Sequence, residues 1–493
     1  MKPVKRTLST PARLQRVALD CELSAERAAN ALRHEPLPFV LAGAWAGGGA
    51  IVGSDPVRVA GDAEDPFELL DDVPRTSGAV SGAVGGGWFG WLGYRLAARV
   101  ERVPLHRVRP VELPDFHLAF YDNVLRRDPA GRWWFEALAT EARREELEQR
   151  LARLRRMLAG ERHRTAGERH RTAGERHGKP ARGEPAARPA PLAPSPLSLP
   201  ADAVADHLDA VADCRRRIAA GEIFQANICL RLEAEFGGTG GDLLRTALAR
   251  VAPPYAAAFD TPYGSIASLS PELFLRRRDR QVVTGPIKGT IVRPPDRDAA
   301  AAALTRLTSS PKDAAEHVMI VDLMRSDLGR VCAYGTVSAP RRASGEPHPG
   351  LWHLVSHVRG RLRDGVGDAE LLRATFPPGS VTGAPKVQSL KVIAALESCG
   401  REVYTGAIGF VSPVAGLELS VAIRTLELAR GRLWLGAGGG IVADSDPRRE
   451  LDEALAKATP IAAAVGTTIA IESGGKVETG VAVRPGAPLG HAA

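Results

Sequence analysis

The chain has 493 residues, 44% of them hydrophobic and 25% charged, with a formal net charge of +8. That length allows a large core and two or more domains, and no apolar run approaches the roughly 20 residues of a membrane helix. Five scattered cysteines, none in a CxxC pair, exclude a disulfide framework and a cysteine-rich zinc site and point to a reducing cytoplasm.

The basic N-terminus, Met1 to Thr10, lacks an apolar core, so no secretory signal is read there. Residues 1–158 read as a strand-rich N-terminal domain with glycine turns at Gly47-Gly48-Gly49 and Gly85-Gly86-Gly87, neither of them a GxGxxG fingerprint. Leu147, Leu151, Leu154 and Leu158 have helical spacing and close that domain. Residues 159–200 read as a disordered linker: a seven-residue repeat, Glu161-Arg162-His163-Arg164-Thr165-Ala166-Gly167, gives way to a Pro/Ala-rich stretch. Between Arg153 and Arg188 stand eleven Lys/Arg and four Glu, so most of the charge excess is local and no nucleic-acid partner is expected.

Residues 201–467 form the second domain, opening on an amphipathic helix at 202–220, and 468–493 read as a peripheral tail. Within it, Lys288 sits in Thr284-Gly285-Pro286-Ile287-Lys288-Gly289-Thr290, read as a tight turn. It is either a solvated charge or a positioned amine. Ser310-Pro311-Lys312-Asp313 starts a helix with Asp313 and Glu316 three apart. Ser445-Asp446-Pro447 starts another, carrying Glu450, Glu453 and Lys457 on one stripe. These are two solvated helix faces or, together, an oxygen-rich shell suited to Mg²⁺. Phe376 to Lys386 reads as a loop whose backbone approaches an anion, though not a Walker A loop. Arg424 reads as a carboxylate fork on a strand, and Gly436 to Val442 as a glycine-rich turn admitting a ligand.

The ordered segments Gly221 to Asn227, Ser270-Pro271-Glu272-Leu273, Pro286 to Thr290, Glu316 to Leu323, Arg325 to Val331, Gly379 to Lys386, Tyr404-Thr405-Gly406, Ile423-Arg424-Thr425, Gly436 to Asp444 and Glu450 to Lys457 resemble the catalytic domain of the chorismate-utilising enzymes. That family includes anthranilate synthase component I, aminodeoxychorismate synthase component I and the isochorismate and salicylate synthases. The resemblance covers residues 205–465 and, more weakly, the N-terminal region. It implies an α+β core of antiparallel β-sheets, sandwich-like and flanked by helices, which the N-terminal strands complete.

Carried over to this chain, the resemblance makes Glu316 and Glu453 ligands of Mg²⁺, with Asp313 and Glu450 assisting through water. It implies that Tyr404, Arg424 and Lys457, with backbone at Gly438 and Gly440, hold chorismate, and that Gln225 and Thr290 also line the substrate site. Glu272 and His353 match positions near the departing 4-hydroxyl. Water-using members carry a lysine where this chain has Gln225, and an amide is no general base. Anthranilate synthases carry a small residue in place of Lys288, whereas aminodeoxychorismate synthases carry lysine. The resemblance therefore implies a covalent Lys288 adduct, then attack by ammonia to give 4-amino-4-deoxychorismate, a p-aminobenzoate precursor. Ser326 departs from the asparagine usual there. No glutaminase pattern is found, so ammonia is expected free or from a separate glutamine amidotransferase subunit. The rival readings are anthranilate synthase component I and a non-catalytic chorismate-binding subunit.

Overall fold

The computed structural model describes residues 10–106, 108–174, 193–340, 343–348, 351–473 and 476–479, with backbone alone at 164–174, 311–313, 348 and 472–479. Among these residues the strands gather into sheets of fifteen, eight and three strands. Pairing is antiparallel except where Leu197–Leu199 runs parallel to Ile469–Ser473 and Ala12–Leu19 to Thr76–Ser77. Helices flank the sheets, so the fold is α+β.

The two large sheets meet face to face because their strands present aromatic side chains to one another. Phe39, on the larger sheet, stacks on Phe89 of the other at 4.5 Å between centroids and on Phe259 at 5.5 Å. Phe89 continues the seam to Phe410 at 5.4 Å. Such offset pairs add about 0.5–1.5 kcal/mol each beyond area burial. Ala28, Leu244 and Leu451 bring three helices onto the outer face of the larger sheet. Phe67, Met324 and Leu371 bring three others onto the second sheet. Strand Phe39–Gly43 pairs with Tyr255–Thr261, and Gly87–Leu92 with Ala407–Ser412, so residues before and after the low-complexity segment share both sheets.

That segment is shorter than the composition implies. The helix Arg144–Gly174 runs through the first part of the expected disordered linker, and Leu197–Leu199 is a strand with both leucines buried. Glu161 is buried and accepts the Asn30 amide at 2.9 Å. Glu, Arg and Ala are good helix formers, so the repeat's polarity limits burial without breaking the helix. Residues 175–192 of the linker lie outside the described residues. The expected tail likewise begins as two strands, Ile469–Ser473 and the edge strand Lys476–Thr479, with 480–493 outside the described residues.

Candidate active site

The strand Arg432–Ile441 is the wall of the site. The sequence reading made Gly436 to Val442 a turn, but it is an extended strand paired with Gln225–Glu235, Gly440 opposite Asn227 and Gly438 opposite Cys229. Glycines are used here for clearance. A Cβ at Gly440 would lie 2.0 Å from Gln225 Nε2 and 3.3 Å from Lys288 Nζ. At Gly439 it would lie 3.2 Å from Glu450 Oε2, 3.5 Å from Lys457 Nζ and 3.8 Å from Glu453 Oε1. At Gly436 it would fall within 2.6 Å of the Tyr404 ring. Bare backbone thus lets two amines, an amide, two carboxylates and a phenol crowd one strand.

Lys288 reaches this wall from a β-bulge, not from the expected tight turn. Its strand, Ile287–Val292, pairs with Leu351–Val355, and the register shifts between Ile287 and Thr290. Gly289, at φ +78°, takes up the irregularity. Past the bulge Thr290 Oγ1 and His353 Nδ1 are 2.8 Å apart. Burial, and then the Lys457 cation, hold the Lys288 amine below its ordinary pKa, while Glu316, Glu272 and Glu453 pull it upward.

Glu272 is buried, its carboxyl pushed up to about 7 by burial against the opposing influence of the Ser380 hydroxyl and the Lys288 and Arg424 cations. Arg424 is not on a strand as expected. It sits at φ +51° in the link between Gly416–Val421 and Thr425–Ala429, and that turn delivers its guanidinium beside Glu272. Tyr404 is buried, its hydroxyl 3.7 Å from Cys229 Sγ.

The expected acidic residues are divided. Asp446 caps the helix Pro447–Val465, accepting from Arg449 N at 3.1 Å. Glu453 pairs with Lys457 at 2.8 Å, and Lys457 also donates to Gly438 O at 3.0 Å. Glu450 is buried and accepts from Ser445 Oγ at 2.6 Å. Glu316 is half-buried on the helix Pro311–Gly329 and faces Lys288 electrostatically. Asp313 lies in the first turn of that helix, and its side chain lies outside the described residues. Among the described residues, no three His, Cys, Asp or Glu gather into a ready metal cage. Of the three carboxylates near the amine, Glu316 and Glu453 stand on two helices, and such hard oxygen donors fit a cation that keeps water and substrate oxygens in its shell.

Two features escaped the sequence reading. Cys229, between Asn227 Nδ2 at 3.1 Å and Tyr404, is one, and nothing in the chain's local pattern marks it. The other is Lys386. The sequence placed it in an anion-cradling loop, but its ammonium binds Asp327 and the carbonyls of Thr375 (2.8 Å) and Pro377 (3.1 Å), fastening the loop to the Pro311 helix. Gly383-Ala384 then pairs with Gln225-Ala226. That pairing braces the Gln225 strand. Ser326 is exposed on the same helix.

The sequence profile of the chorismate binding enzymes matches residues 51–463. Aminodeoxychorismate synthase component 1 of Klebsiella aerogenes is 34% identical over 382 residues, 76% of each chain. Its Escherichia coli K12 counterpart is 39% identical over 241 residues, 49% of this chain and 53% of that one. Anthranilate synthase component 1 of Streptomyces coelicolor is 34% identical over 84% of this chain and 80% of its own. The crystal structure of anthranilate synthase component I from Streptococcus pneumoniae superposes with a TM-score of 0.67 at 27% identity, covering 92% of this chain and 93% of that one.

Proposed function

The chain belongs to the chorismate-binding enzymes, and within that family we propose that it aminates chorismate at C4, the reaction of an aminodeoxychorismate synthase component 1. The observation that carries this reading is the Lys288 amine, set against Gly440 and Gln225 and held below its ordinary pKa. At a reference value near 10.4, about one lysine in a few thousand is unprotonated at pH 7, and each unit of depression raises that fraction about tenfold.

In the proposed sequence the neutral Lys288 amine attacks C2, both ring double bonds shift by one carbon, and the 4-hydroxyl leaves with a proton as water. Glu272, its carboxyl pushed up to about 7 chiefly by burial, can hold a proton near neutral pH and supply it. His353 is the second proposed donor. Ammonia then adds at C4, both double bonds shift back, and the Lys288 amine leaves C2. Gln225 stands where water would need a base, and its amide cannot serve as one. Tyr404, Arg424, Thr290 and Lys457, with the Gly438 and Gly440 backbone, are proposed to hold the substrate. Glu316 and Glu453, assisted by Glu450 and Asp313, would hold Mg²⁺, which neutralises the ring carboxylate. Ammonia would come free or from a glutamine amidotransferase subunit, a reading supported by the "component 1" in the relatives' names.

The test is product identification by mass spectrometry after incubation with chorismate, Mg²⁺ and ammonium at mildly alkaline pH, with Lys288→Ala in parallel. Aminodeoxychorismate from the wild type and a loss of about a thousandfold or more in the variant support both assignment and route. Anthranilate with pyruvate, little changed by Lys288→Ala, moves the protein to the activity named for the Streptomyces coelicolor relative. No product, even with an amidotransferase subunit added, leaves a binding role.

A further inference from the structure

A carboxylate on a buried strand needs a reason, because an unpaired charge there is costly. Glu427 lies in Thr425–Ala429 between Leu426 and Leu428 and is fully buried. Its Oε1 accepts the backbone N–H groups of Val403 at 2.6 Å and Tyr404 at 3.0 Å, and its Oε2 binds Arg231. Arg231, on the Gln225 strand, uses its remaining donors on the carbonyls of Gly400 (3.1 Å) and Arg401. One buried pair therefore grips the turn 400–404 at both ends, by its carbonyls and by its N–H groups.

That turn is not one the chain adopts readily. Glu402 and Thr405 stand at φ +53° and +65°, the left-handed region disfavoured for both residue types. Outside help is consequently concentrated there. Arg109 binds the Glu402 carboxylate, Tyr94 N donates to Glu402 O at 2.7 Å, and Thr405 N donates to Ala422 O at 2.8 Å. The strained turn aims the Tyr404 ring into the clearance left by Gly436, where a shift of an ångström would be felt.

We propose that the Arg231–Glu427 pair is a positioning device for the substrate site, fixing the strained turn that presents Tyr404. The part about substrate rests on the proposed role of Tyr404. The part about the turn does not.

Two measurements on the full chain separate these. Hydrogen–deuterium exchange over residues 400–406 reads the turn directly. Glu427→Gln, which keeps an acceptor but loses the charge, and Arg231→Lys, which loses the planar fork, should each speed exchange there by about tenfold or more while distant strands stay protected. Unchanged exchange in both folded variants overturns the proposal. Chorismate consumption, whichever product forms, reads the substrate part. Glu427→Gln should raise KM about tenfold with kcat altered less than about threefold. In a Tyr404→Phe background the same change should cost under about twofold, because the two act through one group. Equal cost in both backgrounds assigns the pair a merely structural role and overturns the proposal. A wild type that consumes no chorismate defeats the proposed function, and the exchange result still decides the turn. If thermal melts show Glu427→Gln unfolded, Arg231→Lys carries both readouts.

Discussion

Replacing Glu272 by glutamine should stabilise the protein while disabling it, and the size of the gain should depend on pH. The carboxyl is pushed up to about 7 from an ordinary 4.5, chiefly by burial. Between those values the folded chain holds a proton that the unfolded chain releases, so stability falls as pH rises through the window. A gap of about 2.5 pH units corresponds to about 3 kcal/mol when fully developed above pH 7, and about 1 kcal/mol at pH 5. Glutamine keeps the shape and never ionises. Glu272→Gln should therefore melt higher than wild type at pH 8, with a margin about 2 kcal/mol larger than at pH 5. A chain of this length unfolds with roughly 1 kcal/mol/K of entropy, so the difference is about 2 °C in Tm. Paired thermal scans at the two pH values resolve that. A margin that does not grow with pH would refute the idea that Glu272 is a proton-holding acid at neutral pH, and with it the acid role.

Lys386→Met should cost on the order of 3–5 kcal/mol, because it strands a buried Asp327, and Lys386→Met/Asp327→Leu should recover much of it. Denaturant midpoints of the two variants check this. Both His207 ring nitrogens are buried without partners, and burial lowers its pKa to about 4. The unfolded chain then takes up a proton that the fold refuses, so stability falls as pH drops from 6.5 to 4, by up to about 3 kcal/mol. His207→Leu should flatten that dependence in pH-resolved melts. Chelation by EDTA should abolish chorismate consumption and excess Mg²⁺ restore it, with Glu316→Gln and Glu453→Gln each raising the Mg²⁺ needed. Activity unaffected by chelation would remove the metal from the reading.

The sequence exposed what depends on short-range pattern. Asp446-Pro447 announced a helix start because capping and a proline at the first helical position are local, and the stripe Glu450, Glu453, Lys457 followed from helical spacing. The antiparallel core was legible through resemblance more than through periodicity, since strands such as Gly87–Leu92, buried on both faces, carry no alternation. What failed was set by partners far along the chain. Glycine is a poor strand former, so Gly436 to Val442 read as a turn, and pairing with the Gln225 strand is what makes Gly436 to Ile441 extended. Arg424 looked like a strand residue until long-range packing put it at φ +51°. Glu427 and Arg231 stand 196 residues apart, and no local pattern connects them.

The glycine strand allows a sharper test of how the site is built, because two of its glycines differ in what an added methyl meets. At Gly438 the Cβ would lie 2.3 Å from Ile228 O and 2.8 Å from Cys229 Cα, both backbone of the paired strand. Neither can move without parting the ladder, so Gly438→Ala should cost several kcal/mol, at the upper end of overpacking effects. At Gly440 the first contact is Gln225 Nε2 at 2.0 Å, the end of a flexible side chain, and the next after Gln225 is Lys288 Nζ at 3.3 Å. Gly440→Ala can fold by turning the amide away, so its stability loss should stay near 1 kcal/mol. The displaced amide must go somewhere, and Lys288 is the neighbour at the same clearance. Consumption of chorismate should then fall by about a hundredfold, as expected for roughly an ångström of misplacement. Thermal melts and steady-state kinetics on the two variants give the comparison. If Gly440→Ala keeps near-wild-type turnover, the crowding of Gln225 and Lys288 over this strand has no part in catalysis, and Lys288 loses the geometric half of its case.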